Sequence, residues 1–166
     1  PINFFFQKKL KNKKRKKKIL ICQGGADANN NITTLIKIIR NKIKDFQFEL
    51  NVLAPKVYKI NKIQKQKYAI KYYRDVKDIG KFLNKYDHIV TSCGCLSYEI
   101  NFFGIDCTYV TSEPREIKLA KYFEKKGFGK YFSISQKDAL LENIYNNIKI
   151  EQTSAKLKEK IRYFKH

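Results

Sequence analysis

Two short stretches of this chain carry residues whose types and spacing could hold an anion. The first is Gln23-Gly24-Gly25-Ala26-Asp27-Ala28-Asn29-Asn30, which follows an apolar run at 19–22 and precedes a helical pattern from Ile32. Glycines let backbone N–H groups approach a phosphate closely, and the helix that follows turns its positive N-terminal end toward it. Taken alone, a Gly-Gly pair also fits a plain strand-to-helix turn. The second stretch is Thr91-Ser92-Cys93-Gly94-Cys95-Leu96-Ser97-Tyr98-Glu99-Ile100, closed by Phe103-Gly104-Ile105. It is another glycine turn into a helix, with the Ser97 hydroxyl and the Glu99 carboxylate in the first turns. A carboxylate there can accept both hydroxyls of a ribose diol, or it can simply favour the helix dipole. Together the two stretches point to a phosphorylated ligand.

The elements that must position these loops alternate along the chain. Apolar strands are expected at 19–23, 46–53, 69–73, 88–91, 105–110 and 131–134. Between them, apolar residues at helical spacing predict helices over 32–44, 75–84, 96–103, 114–126 and 137–147, with a final helix over 154–164. Gly104 stands where a glycine would end the helix before it. Strands alternating with helices make an α/β fold, a doubly wound parallel sheet of about six strands. Such sheets bind ligands beyond the carboxyl ends of their strands, near the point where strand order reverses. Three polar loops fall at carboxyl ends, at 24–31, 92–97 and 111–116, and should cluster there.

Several chemistries are disfavoured. The first loop lacks GxGxxG, and no acidic residue ends the second strand, so a nicotinamide or flavin cofactor is not expected. It also lacks the Lys-Ser/Thr pair of an ATP-hydrolysing P-loop. No cofactor of any kind is expected, and no metal: the four cysteines, Cys22, Cys93, Cys95 and Cys107, form no CxxC pair and only His88 and His166 accompany them. The cysteines read as reduced thiols of a cytoplasmic protein, with a reactive thiol at Cys93-Gly94-Cys95 as the alternative. His88 opens a strand at the end opposite the ligand loops and reads as structural. No nucleophile–base or paired-carboxylate constellation can be assembled.

The chain has 166 residues, 43% of them hydrophobic, which is enough for one domain with a full core. No apolar run approaches the roughly 18–20 residues that span a bilayer. The order of the amino-terminal segment, Phe4-Phe5-Phe6 before a basic run, is the reverse of a secretory signal. The chain opens on Pro1 and contains no Met, which fits a processed product or a piece of a longer protein. Its formal charge is +21, from 36 Lys and Arg, of which only Arg15, Arg40, Arg74, Arg115 and Arg162 are arginines. Lysine-heavy, Ile- and Asn-rich composition is the mark of an AT-rich coding sequence, and nucleic-acid readers favour arginine. The charge therefore reads mainly as composition on a solvated surface, against nucleic acid, with attraction to an anionic membrane surface as the alternative. The densest run, KKLKNKKRKKK at 8–18, reads as a solvated linker or arm, with a membrane-surface or RNA tether as the alternative. The expected organisation is an arm at 1–18, a nucleotide-binding domain at 19–150 and a C-terminal helix at 151–166.

The pair of patterns GG-x-D-x-x-N at 24–30 and S-x-G-x-x-S-Y-E-x-x-x-x-G-I at 92–105 resembles the nucleotide-binding half of GT-B-type UDP-sugar enzymes. It is most similar to the UDP-sugar hydrolases of pseudaminic acid biosynthesis and the related spore-coat polysaccharide proteins, and more distantly to the lipid II-forming GlcNAc transferase of peptidoglycan synthesis. The resemblance spans residues 18–148 and implies a single Rossmann-like sheet that is one half of a GT-B fold. It implies that Gly24 and Gly25 face the UDP phosphates, with Asn30 near the helix start and Asp27 also among the UDP-binding residues. Backbone groups at Asp75-Val76 would meet the uracil ring. Gly94, Cys95 and Ser97 would cradle the diphosphate, and Glu99 would hold the ribose. Where the family has an Asn-Gln pair near the sugar or phosphate, this chain reads Arg115-Glu116. The family places its catalytic histidine and acceptor side in an N-terminal domain absent from this chain. The implied partners are UDP or a UDP-sugar and a missing N-terminal Rossmann domain or separate subunit. The expected location is cytoplasmic, with a peripheral position at the inner face of the membrane as the alternative. A split membrane-associated glycosyltransferase, of which this would be the donor half, is the alternative; a basic module binding membrane or nucleic acid through charge is the second.

Overall fold

A computed structural model describes residues 16–24, 27, 30–42, 48–60, 69–111 and 113–149. The arm through residue 15, Gly25 and the helix expected over 154–164 lie outside the described residues. Six strands form one sheet: β1 (Lys17–Cys22), β2 (Phe48–Leu53), β3 (Lys71–Tyr73), β4 (His88–Thr91), β5 (Cys107–Val110) and β6 (Gly129–Phe132). Among the described residues five helices alternate with them: α1 (Asn31–Lys42), α2 (Ile79–Leu83), α3 (Cys95–Phe102), α4 (Pro114–Lys125) and α5 (Lys137–Lys149). The strand order is β3-β2-β1-β4-β5-β6 and every ladder is parallel. The chain therefore steps outward from β1 to β3, then crosses back to lay β4 on the other side of β1. The expected α/β doubly wound sheet is what forms.

Parallel strands are covered on both faces, so their side chains read as apolar almost throughout. In β1, Ile19 and Ile21 enter the core under α1 and α5, with Leu35, Ile36, Ile39, Leu140 and Ile144. Leu20 and Cys22 enter the opposite core under α2, α3 and α4, with Phe82, Leu83, Ile100, Ala120 and Phe123. The period of two along the strand thus feeds two separate cores.

Boundaries differ from the expected ones for local reasons. The strand expected from residue 19 begins at Lys17. Lysines are tolerated there because the Lys18 backbone N–H donates to Asp87 Oδ2 at 2.8 Å and its ammonium lies 3.5 Å from Glu49. The helix expected over 75–84 shrinks to Ile79–Leu83, because Asp75 takes a left-handed φ of 48° and Asp78 caps the helix by accepting from Lys81 N–H. Ala69, expected in β3, also has a positive φ, 49°, which no strand residue adopts. β5 starts two residues late because the Ile105 N–H donates to the Ile100 carbonyl, completing the end of α3 around Gly104 at φ 63°. β6 lies two residues earlier than expected, at Gly129–Phe132.

Gly129 sits where the sheet leaves no room for a side chain. It pairs with Cys107, and a Cβ added there would lie 2.5 Å from the Cys107 carbonyl oxygen and 2.8 Å from its sulfur. The backbone and the buried Cys107 and Tyr109 side chains must move to admit a methyl group. Gly129→Ala should therefore lower the unfolding free energy by about 1–3 kcal/mol. Urea denaturation followed by circular dichroism measures this, and an unchanged midpoint would show that β5 and β6 are not packed this closely.

Candidate functional site

The order of strands reverses between β1 and β4, and their carboxyl ends, Cys22 and Thr91, are paired in register. Buried polar groups stitch the crevice floor together there. With its amide oriented to satisfy both groups, Gln23 accepts from the Ser92 N–H at 3.2 Å and donates to the Val110 carbonyl at 3.0 Å. One side chain thus ties together the ends of β1, β4 and β5. The Cys22 thiol lies 3.4 Å from Thr91 Oγ1, and burial pushes it up to about 11. Polar residues at the last position of apolar strands were the available sequence signal for Gln23, which motif reasoning missed.

The first loop leaves β1 through Gly24, at φ 69°. A Cβ on Gly24 would stand 3.3 Å from Ser92 Oγ, so the first two loops are in near contact. Asp27 and Asn30 both hold left-handed backbone, with φ of 43° and 51°. The Asp27 carboxylate accepts from Asn31 N–H at 2.8 Å and from Ile32 N–H at 3.2 Å. It caps α1, the role that a phosphate would otherwise take at that helix end. Burial raises the Asp27 carboxyl above its ordinary value, and the two N–H donors oppose the rise. The structure thus turns Asp27 toward α1, and Asn30 sits at the helix entrance, its carbonyl accepting from Thr34 N–H.

The second loop is arranged differently. Gly94 is the N-cap of α3, with extended backbone and no side-chain capping bond. The first N–H groups of a helix have no partner within the helix, so those of Cys95 and Leu96 are donors that α3 itself does not use. Ser97 is fully buried, and its hydroxyl donates to the Gly94 carbonyl at 2.5 Å. The Ser97 side chain therefore shapes the turn from inside, while Cys95 and Glu99 are exposed on it. The Cys93 thiol is buried 3.8 Å from Ser97 Oγ and pushed up to about 11, chiefly by burial.

The third loop joins the second. Thr111 is buried, and its hydroxyl donates to Glu116 Oε2 at 2.5 Å while accepting from the Glu113 N–H at 3.2 Å. Glu116 Oε1 stands 3.3 Å from where a Cβ on Gly94 would be. The crevice thus brings Gly24, Ser92, Gly94, Thr111 and Glu116 together. Arg115 is exposed beside it on α4. Val76, half-buried, packs with Ile79 against the α2–α4 core beyond β3, while Asp75 lies 3.4 Å from the Lys56 ammonium. His88 is at the amino end of the strands, opposite the loops: it opens β4, is fully buried, and places Nε2 2.9 Å from Thr108 Oγ1. Among the described residues no group of three His, Cys, Asp or Glu side chains could hold a metal ion. No helix among them is long and apolar enough to cross a membrane.

Neither a protein-family model nor a curated protein matches this chain. Solved structures do. The chain is similar to Acinetobacter baumannii MurG, with a TM-score of 0.73 at 16% identity over 98% of this chain and 48% of that one. It is similar to the glycosyltransferase of kitacinnamycin, with a TM-score of 0.70 at 14% identity over 92% of this chain and 41% of that one. It is also similar to the spinosyn rhamnosyltransferase SpnG complexed with thymidine diphosphate, with a TM-score of 0.69 at 12% identity over 93% of this chain and 43% of that one. At these identities the likeness is one of fold. The neighbours are GT-B glycosyltransferases, and this chain has the fold of one Rossmann-like half of that architecture. It spans less than half the length of each of these three neighbours.

The thiols around the crevice separate by exposure. The thiolate is the reactive form, so a thiol at about 11 is almost wholly protonated near neutral pH. Cys95 is exposed, whereas Cys22, Cys93 and Cys107 are buried. Iodoacetamide at pH 7.5 should modify Cys95 on the native chain and reach the other three only after denaturant is added. Peptide mass spectrometry over a time course reads this, and early labelling of Cys93 would mean that the second loop opens.

Proposed function

We propose that this chain is the donor-binding domain of an enzyme that uses nucleoside diphosphate sugars, with UDP as the nucleotide. The observation that carries the reading is the uncapped N-terminus of α3 at the switch between β1 and β4, flanked by the Gly24 turn and the Glu116 loop. The motif resemblance supports a UDP-sugar hydrolase of the pseudaminic acid type or a related glycosyltransferase. That one of the fold neighbours was solved with thymidine diphosphate supports a nucleoside diphosphate as the ligand class.

On this reading the α3 N–H groups at Cys95 and Leu96 hold the diphosphate, and the helix dipole stabilises the charge that grows on it as the sugar departs. Gly24 and Gly25 leave room for the phosphates. Glu99, exposed on the first turns of α3, accepts the ribose hydroxyls, and backbone groups at Val76 meet the base. Asp27 and Ser97 act indirectly: one sets the end of α1 and the other the shape of the Gly94 turn. Arg115 is available to a phosphate or sugar substituent. The residues that attack the sugar belong to a second domain.

The share of each neighbour that the chain spans fits a second domain outside this sequence, on the same chain or, in the second reading, on a separate subunit of a split transferase of which this is the donor half. The basic run at 8–18 would then serve as a linker or membrane contact.

Titration with UDP followed by thermal melting tests the reading. At a UDP concentration about 100-fold above Kd, binding adds about 2.7 kcal/mol, which raises Tm by about 5–10 °C for a chain of this size. No shift at millimolar UDP would refute nucleotide binding. Glu99→Ala should weaken UDP about tenfold by loss of the ribose contacts. Unchanged affinity in that variant would remove Glu99 from the ribose.

A further inference from the structure

The Glu116 carboxylate reaches from the first turn of α4 to the Gly94 turn at the start of α3. Its Oε2 is held by the Thr111 hydroxyl at 2.5 Å, and Thr111 is itself buried, so the side chain is fixed rather than swinging in solvent. Its Oε1 stands over Gly94, 3.3 Å from the position of a Cβ there. Gly94 is also the residue at which α3 begins without a side-chain cap. A negative charge is therefore parked beside the helix end that attracts anions. By itself this arrangement is favourable, because the carboxylate meets the positive end of α3. In an occupied crevice it opposes every further negative charge on the ligand.

The consequence depends on how much charge the ligand carries. A diphosphate esterified at both ends has one ionised oxygen on each phosphorus. A free nucleoside diphosphate carries a further ionisation on its terminal phosphate, whose second pKa is about 6. Transfer of the sugar to water or an acceptor hydroxyl forms one C–O bond at the anomeric carbon and breaks another. The bonding pair stays on the diphosphate oxygen, and the proton of the attacking hydroxyl is released. The ligand therefore gains negative charge at the moment the sugar leaves, close to Glu116.

We propose that Glu116 is a charge-discriminating residue, which disfavours the free nucleoside diphosphate relative to the sugar-esterified one and so drives release of the spent nucleotide. This inference rests on the reading of the crevice as a nucleotide-sugar site. It assigns Glu116 a role set by charge rather than by contact with the sugar. It also accounts for the Thr111 hydroxyl, which holds one oxygen of the carboxylate while the other stands over Gly94.

Calorimetric titration of the full chain with UDP and with UDP-N-acetylglucosamine tests it. Glu116→Gln keeps the shape and removes the charge. It should tighten UDP about tenfold and UDP-N-acetylglucosamine about threefold, so that the ratio of the two Kd values shifts about threefold toward UDP. Thr111→Val, which keeps the charge but frees the carboxylate, should shift the ratio in the same direction by a smaller factor, and it serves if the first variant fails to fold. Glu142→Gln, on the exposed face of α5, removes one charge far from the crevice and should leave the ratio unchanged. Equal changes for both ligands, or a weakened UDP, would overturn the charge-discrimination role while leaving the nucleotide site intact. Absence of binding by either probe to wild type and variant alike would overturn both.

Discussion

Parallel pairing is the constraint on which the rest of this structure depends. A parallel ladder cannot be closed by a tight hairpin, so each strand must be followed by a crossover that returns the chain to the same starting edge. Every carboxyl end then lies on one side of the sheet. The Gly24 turn, the Gly94 turn and the Thr111–Glu116 loop are far apart in the chain, yet they leave β1, β4 and β5 from that one edge. The reversal of strand order between β1 and β4 sends the helices after them to opposite faces, α1 to one core and α3 to the other. The gap that this leaves is the crevice.

Within the crevice the two helix ends are treated differently. The positive end of α1 is met by Asp27, an acceptor supplied by its own loop. The positive end of α3 receives no side-chain cap, and Glu116 stands beside it without a capping bond. Two similar glycine turns therefore leave unequal electrostatics, with the helix end after the second free of a side-chain cap. The polar residues behind them are structural in a specific sense. Gln23, Thr91 and Thr111 satisfy buried groups at the strand ends and thereby hold the loops in place. The amino end of the strands has its own buried polar set, in which Thr108 Oγ1 meets His88 and accepts from Asn143 at 2.8 Å, and it leads to no loop of the crevice.

The elements with strong apolar periodicity were legible in the sequence. β4 lies at His88–Thr91, where the apolar run places it, and α3 ends at Gly104 as a C′ glycine should. The weaker elements were not. α2 is short because Asp78 captures a helical N–H and Asp75 turns left-handed, and neither choice is visible in the spacing of Val76, Ile79, Phe82 and Leu83. β6 begins at Gly129 because Cys107 and Tyr109 leave space only for a glycine, a fact about its neighbour strand.

The candidate site divides in the same way. That glycine turns follow β1 and β4, and that Glu99 lies exposed on the helix after the second, follows from residue type and spacing, because backbone freedom and helical period are local properties. Which way Asp27 and Ser97 face does not follow, since each chose between an outward ligand and an inward N–H or carbonyl. The approach of Glu116 to Gly94 is still less local. It requires β4 and β5 to be neighbours, and only the parallel register of the folded sheet decides that. The sequence by itself determined the alternation of elements and the two glycine turns, through short-range patterns. The tertiary structure alone decided which side chains meet across the crevice, because those contacts join residues whose proximity is created by strand order.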